Sequence, residues 1–201
     1  MENGMNKTAN VSALGYAAFA LTLWLTSMTP AGWFDHPVDN SLLLLLTVVL
    51  GGCVLAIAGI LRWSRGNAFD TLLFVAFAGY WWIAALYQHS LSDGAHVSTS
   101  AGFLGWYYIV WAFLAFCIWI AACRDGVARM LFTLGLCLSL FAQALANWTH
   151  LEPLTVLGGY LGLVSAVVGI YLAAAEVIND SHGHTVLPLG ESATGEGPHR
   201  S

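Results

Sequence analysis

Residues 41–61 read SLLLLLTVVLGGCVLAIAGIL, 21 positions without one charged side chain. Coiled as an α-helix, the stretch is about 31 Å long, matching the roughly 30 Å hydrocarbon core of a bilayer. The composition of the whole chain points the same way. Of its 201 residues, 58% are hydrophobic and 8% charged, against roughly 25% charge in soluble proteins. Lipid is the solvent that accounts for the missing charge.

Five further apolar runs flank this one, giving spans near 11–29, 41–61, 70–88, 102–123, 130–147 and 155–178. The joints TPAGWFDHPVDN, RWSRGN, HSLSDGAHVSTS, RDGVAR and THLEP carry the Gly, Pro, Asn and Asp expected of turns. The first run lacks a strongly basic start and a small-residue cleavage site, so it reads as a retained helix. The expected fold class is an all-α membrane protein with six transmembrane helices. Residues 1–10 form a short N-terminal segment, 11–178 the membrane domain and 179–201 a polar tail.

Basic residues set the orientation. Lys7 precedes the first span, Arg62 and Arg65 separate the second from the third, and Arg124 and Arg129 separate the fourth from the fifth. Arg200 lies in the tail, and the three alternate loops contain neither Lys nor Arg. The positive-inside rule then places both termini in the cytoplasm and the chain in the cell membrane. The net charge of −5 comes from acids at termini and loops. No basic stripe exists, which argues against nucleic acid as a partner.

Several chemistries are disfavoured by position. No Lys, Arg, Asp, Glu or His stands in the middle of a span, and Asp70 and Glu176 sit at the cytoplasmic ends of the third and sixth. A pump that relays charge through its own carboxylates needs one at depth. All seven histidines lie in loops, at span edges or in the tail, so no haem-type cofactor and no enzyme is expected. Cys53, Cys117, Cys123 and Cys137 fall in apolar runs and read as buried free thiols. His182 and His184 form an HxH beside Asp180 and Glu176. Lacking a third or fourth fixed ligand, they read as a solvated connector past the helix end rather than a metal site. His36, His89, His96 and His150 belong to the outer side, as plain loop residues or as sensors of external acidity.

Small residues recur at Gly158, Gly162, Ala166, Gly169 and Ala173, a spacing that lets helices approach closely. Trp33, Trp63 and Trp148 lie near span ends, where an amphipathic indole suits the headgroup belt. Trp81, Trp82 and Trp111 sit deeper and read as helix packing.

Residues 158–192, GGYLGLVSAVVGIYLAAAEVINDSHGHTVLPLGES, resemble the closing segment of the acetate uptake transporter family, also called the YaaH or succinate–acetate permease family. That family ends its sixth helix with E-V-x-N, followed by T-V-L-P-[IL]-G-E. GNAF at 66–69, FLGWYYIVWA at 103–112 and NVSALGY at 10–16 match in the same order, the last corresponding to N-P-A-P-L-G-L. The resemblance implies a six-helix protomer assembling as a homo-oligomer, a hexamer, with a pore within each protomer. Its cargo would be acetate or another small carboxylic acid, succinate in some members, moving in a proton-linked or channel-like manner.

By the same resemblance the pore narrows at three apolar residues, here Phe19, Phe77 and Leu136. All three lie on spans that run from inside to outside, about six to eight positions past the start, hence roughly 9–12 Å deep. Asn10 and Asn147 match asparagines of the family and, with Tyr16, are the candidate substrate-binding residues. The two amides can donate to a carboxyl group, although an Asn at a helix start equally reads as a cap. An apolar neck offers a bare carboxylate no hydrogen bonds and so favours the uncharged acid.

The chain departs from the family pattern in places. Val11 and Ala13 replace both prolines, Leu55 stands where Gln is usual, Asp70 where Gly is usual, and Phe77 where Tyr is frequent. These changes, with no fixed positive charge expected in the pathway, leave two other classes open. One is a channel for small neutral solutes such as urea or short amides. The other is a non-transporting scaffold or sensor.

Overall fold

The structure, a computed structural model, describes residues 10–34, 40–92 and 99–190. Lys7, His36, His96 and Arg200 lie outside the described residues. Every regular element among the described residues is helical. They are α1 Val11–Met28, α2 Asn40–Leu46, a π-helical segment Thr47–Val54, α3 Leu55–Trp63, α4 Ala68–Ser92, α5 Ala101–Ala122, α6 Val127–Thr149 and α7 Glu152–His182. The second span runs through α2, the π segment and α3, so six helices are long and apolar enough to cross a membrane.

Helix ends follow local chemistry. Asn10 caps α1 by accepting the Ser12 amide at 3.1 Å, and Ser100 caps α5 through the Phe103 amide at 3.3 Å. Pro153 sits in the first turn of α7, where its missing N–H costs nothing. Gly183 ends that helix at φ 70°, a left-handed conformation glycine adopts without strain. His182 therefore closes α7 instead of following it, four residues beyond the expected end of the span.

The π segment is a second difference from expectation, since the apolar run alone predicts an unbroken α-helix. It contains Gly51 and Gly52, the first facing Trp81 and Thr22 and the second facing the Trp82 indole, with no room for a Cβ at either. The wider turn occurs where two glycines meet two tryptophans of α4. A third difference concerns the thiols. Cys137 is buried as expected, but Cys53, Cys117 and Cys123 are exposed on the outer surface of the bundle. An apolar run in a membrane helix has a lipid-facing side as well as a packed one, and period alone does not separate them.

α7 packs along both α1 and α6, α5 packs on α6, and α3 with the π segment packs on α4. Lipid tails are as apolar as the side chains, so close fit and interhelical hydrogen bonds must hold the helices together. The small-residue stripe of α7 supplies the fit within the chain. Gly159 faces the backbone of Pro30 and Ala31, Gly162 faces Ser27, and Gly169 faces Ala20 and Phe132. Ser139 and Ser165 add α6–α7 bonds, donating to the Gly158 and Phe132 carbonyls at 2.7 Å each.

Candidate functional site

The first turns of α1 gather two buried ionic clusters. The Asn10 side-chain amide donates to Glu176 of α7. Arg129 of α6 donates to the same carboxylate at 3.0 Å and lies 3.9 Å from Asp125. Ser12 and Tyr16 donate to Asp70 of α4 at 2.7 and 3.1 Å. Arg62, at the end of α3, places its Nε 2.8 Å from Asp70, a charge contact not aligned as a hydrogen bond. Asp70 has no exposed surface and Glu176 almost none. Charges so buried persist only when paired and hydrogen-bonded.

Asn10, Arg62, Arg129 and Glu176 line a cavity of ≈ 720 Å³ at the face where α1 begins and α7 ends. We call it the terminal vestibule. Its rim is the segment after α7. The Asn179 side-chain oxygen accepts the Val186 and Leu187 amides at 2.8 and 2.9 Å, and its amide donates to the Leu187 carbonyl at 2.9 Å. The Leu189 and Gly190 carbonyls accept the amides of Ala128 and Val127 at 3.3 and 3.2 Å, two donors that the start of α6 would otherwise leave unmet.

Inward of the vestibule the bundle closes with rings. Tyr16, Phe19, Phe74, Phe77 and Phe132 have no exposed surface. The Phe19 centroid is 5.1 Å from Phe77 and 5.2 Å from Phe132. Tyr16 meets Phe74 and Phe132 edge-on at 5.2 and 5.8 Å. Phe19, Phe77 and Leu136 lie eight, nine and nine residues past the first residue of α1, α4 and α6, about 12–14 Å along each helix.

Past the rings lies a second cavity of ≈ 500 Å³, whose walls include Ser27, Thr47, Tyr80, Leu136 and Gln143. From Ser12 in the vestibule to Leu23 in this cavity is 11 residues of α1, about 16 Å. The aromatic plug occupies that interval. A third cavity, ≈ 390 Å³, opens between α4 and α5 beside Tyr107 and Asn147.

Phe19, Phe77 and Leu136 thus share one buried cluster, with Leu136 on the wall of the second cavity. The three binding candidates are not brought together. Asn10 lines the vestibule, the Tyr16 hydroxyl is held by Asp70, and Asn147 donates to the Gln143 carbonyl of its own helix at 2.9 Å. The His182 and His184 Nδ1 atoms lie at 2.9 and 3.0 Å from backbone carbonyls, and no third metal-ligating side chain joins them among the described residues.

Two features escape a reading by sequence. Phe132 contacts Tyr16 and Phe19 alike, and its signal is the i, i+4 spacing with Leu136 on α6. The expected absence of fixed positive charge is incorrect, because Arg62 and Arg129 both face the vestibule. As loop-flanking arginines they speak to topology first, and only the partners Asp70 and Glu176 draw them inward.

Six spanning helices with cavities opposed across a buried neck define a multi-pass membrane protein of the channel or permease class. The chain belongs to the GPR1/FUN34/yaaH family, whose profile it matches over residues 2–191. It is 28% identical over 191 residues to the succinate-acetate/proton symporter SatP of Escherichia coli K12, covering 94% of this chain and 99% of that one. It is 28% identical over 205 residues to acetate permease A of Emericella nidulans, covering 91% of this chain and 66% of the relative. The solved structure of the bacterial acetate channel SatP superimposes with a TM-score of 0.86 at 26% identity, covering 92% of this chain and all of that one. These relatives are transporters and channels, not enzymes.

Proposed function

We propose that this chain conducts acetate and similar small monocarboxylates across the cell membrane through its own helical bundle, residues 11–178. The observation that carries the reading is the pair of cavities separated by the Phe19–Phe77 contact. An ionised carboxylate entering so apolar a neck forfeits its hydration without replacement, whereas the protonated acid forfeits far less. With a pKa near 4.3, as for a Glu side chain, about one molecule in fifty is uncharged at pH 6. The cargo therefore crosses as acid, or as anion and proton together.

Arg62, Arg65, Arg124 and Arg129 lie at the terminal face, in or beside the turns joining α3 to α4 and α5 to α6, which supports cytoplasmic termini. Assembly as a homo-oligomeric hexamer is part of the same reading and rests on family membership. The test is radiolabelled acetate and urea uptake by proteoliposomes, with and without an inward proton gradient. Acetate uptake should fall when the gradient is dissipated, and urea should stay at background. Acetate uptake independent of pH between about 5 and 8, or urea flux equal to acetate flux, would overturn the proposal.

A further inference from the structure

Among the described residues Asp70 is the carboxylate with no exposed surface, set behind the vestibule wall, and conduction through an apolar neck does not of itself require it. Its neighbours come from every packed element: Ser12 and Tyr16 of α1, Arg62 of α3 and its own cap Asn67, with the Arg129–Glu176 pair of α6 and α7 nearby. Only Arg62 of the Asp70–Arg62 pair reaches the cavity. The carboxylate stands behind it, out of reach of a solute.

We infer that Asp70 sets the charge preference of the terminal vestibule by neutralising Arg62, so that the site receives the small acid uncharged and does not hold its anion. The inference rests on the proposed conduction of small carboxylic acids. Arg62 and Arg129 are the positive groups on the wall. Asp70 answers Arg62 from behind the wall, and Glu176, with Asp125 3.9 Å away, answers Arg129. So paired, neither guanidinium is left to attract a carboxylate. Without Asp70 the Arg62 guanidinium, already on the wall, has lost its counter-ion. A guanidinium is the group best shaped to hold a carboxylate. The small anion would then lodge at Arg62, short of the neck.

The test uses the full chain in proteoliposomes sorted with the terminal face outward, orientation being checked by protease clipping. Initial acetate rates at outer pH 5.5–7.5 give KM for total acetate. In the wild type, KM rises about tenfold per pH unit, following the shrinking uncharged fraction. In Asp70→Asn, which retains an acceptor for Ser12 or Tyr16, the rise shrinks below about threefold per unit, and Arg62→Gln added to it restores the steep dependence. Thr185, exposed on the vestibule rim, gives an independent arm. Thr185→Lys leaves the buried pair intact and flattens KM in the same sense. A tenfold slope retained in Asp70→Asn would sink the inference, as would a fall in maximal rate with the slope unchanged; Thr185→Lys shows what an unpaired cation on this wall does to KM. If Asp70→Asn fails to assemble, Asp70→Gly, with or without Arg62→Gln, takes its place. A wild type that passes no acetate defeats the conduction reading itself; one that passes it with unaltered variant slopes defeats only the role of Asp70.

Discussion

Asn10 and Glu176 stand 166 residues apart in the chain and are joined by a hydrogen bond from the Asn10 amide to the Glu176 carboxylate. The contact ties the start of the first span to the end of the last, and Arg129 brings the fifth span to the same carboxylate. Glu176 is thus a three-helix junction. Replacing it with Ala strands a largely buried guanidinium, a change that costs roughly 3 kcal/mol when one partner of a buried pair is lost. The apparent melting temperature in detergent should fall by roughly 6–12 °C, and Glu176→Gln, which still accepts from Arg129, should lose less. Equal melting for wild type and Glu176→Ala would show the junction to be dispensable.

The neck gives a prediction in size selectivity. Phe19 and Phe77 touch across the bundle axis and Leu136 sits beside them. If these side chains form the proposed neck, removing both rings opens it without altering either vestibular pair. Phe19→Ala/Phe77→Ala should raise the butyrate-to-acetate flux ratio by about tenfold or more in vesicles, with the folded fraction checked by size exclusion. Large-to-small changes in a packed core each cost about 3–5 kcal/mol, so the single variants serve as the fallback. Flux at background in all three would mean that these side chains guard no passage.

How legible these features are differs by kind. The six spans are written in uninterrupted apolar runs, because a bilayer penalises charge at every position of a crossing. The Phe19–Phe77–Leu136 set follows from resemblance and a common depth, and the first two are in contact. The π turn at Thr47–Val54 is not legible, since it depends on how Gly51 and Gly52 meet tryptophans two dozen or more residues away. Nor is the pairing of Arg62 with Asp70: a charge at a span end reads as a topology marker until its partner is known to be buried.

Glycines in these helices fall into two sorts, which substitution should separate. A Cβ on Gly159 would overlap the backbone of Pro30 and Ala31, which has no rotamer to move away. A Cβ on Gly79 meets nothing within 4 Å. Gly159→Ala should destabilise the detergent-solubilised protein by about 1–3 kcal/mol or more. Gly79→Ala should be neutral or stabilising by up to about 1 kcal/mol, through helix propensity. Matching melting curves for the two variants would contradict the α1–α7 fit.

The strap after α7 hangs on one side chain. Asn179 makes three hydrogen bonds to the backbone of Val186 and Leu187, and the strap repays α6 by accepting the amides of Val127 and Ala128. Tyr171 adds one bond, from its hydroxyl to the Pro188 carbonyl at 2.7 Å, too few to hold the segment alone. Asn179→Ala removes the anchor while leaving the membrane packing of α7 untouched, because Asn179 lies beyond its apolar run. If the strap is held this way, amide hydrogen exchange at Leu187 and at Val127 and Ala128 should quicken together, by about ten- to a hundredfold for 1.4–3 kcal/mol of lost bonding. Exchange in the middle of α6 and α7 should not change. Protection kept at Val127 and Ala128 while Leu187 opens would show that the carbonyls of Leu189 and Gly190 are fixed by something other than Asn179.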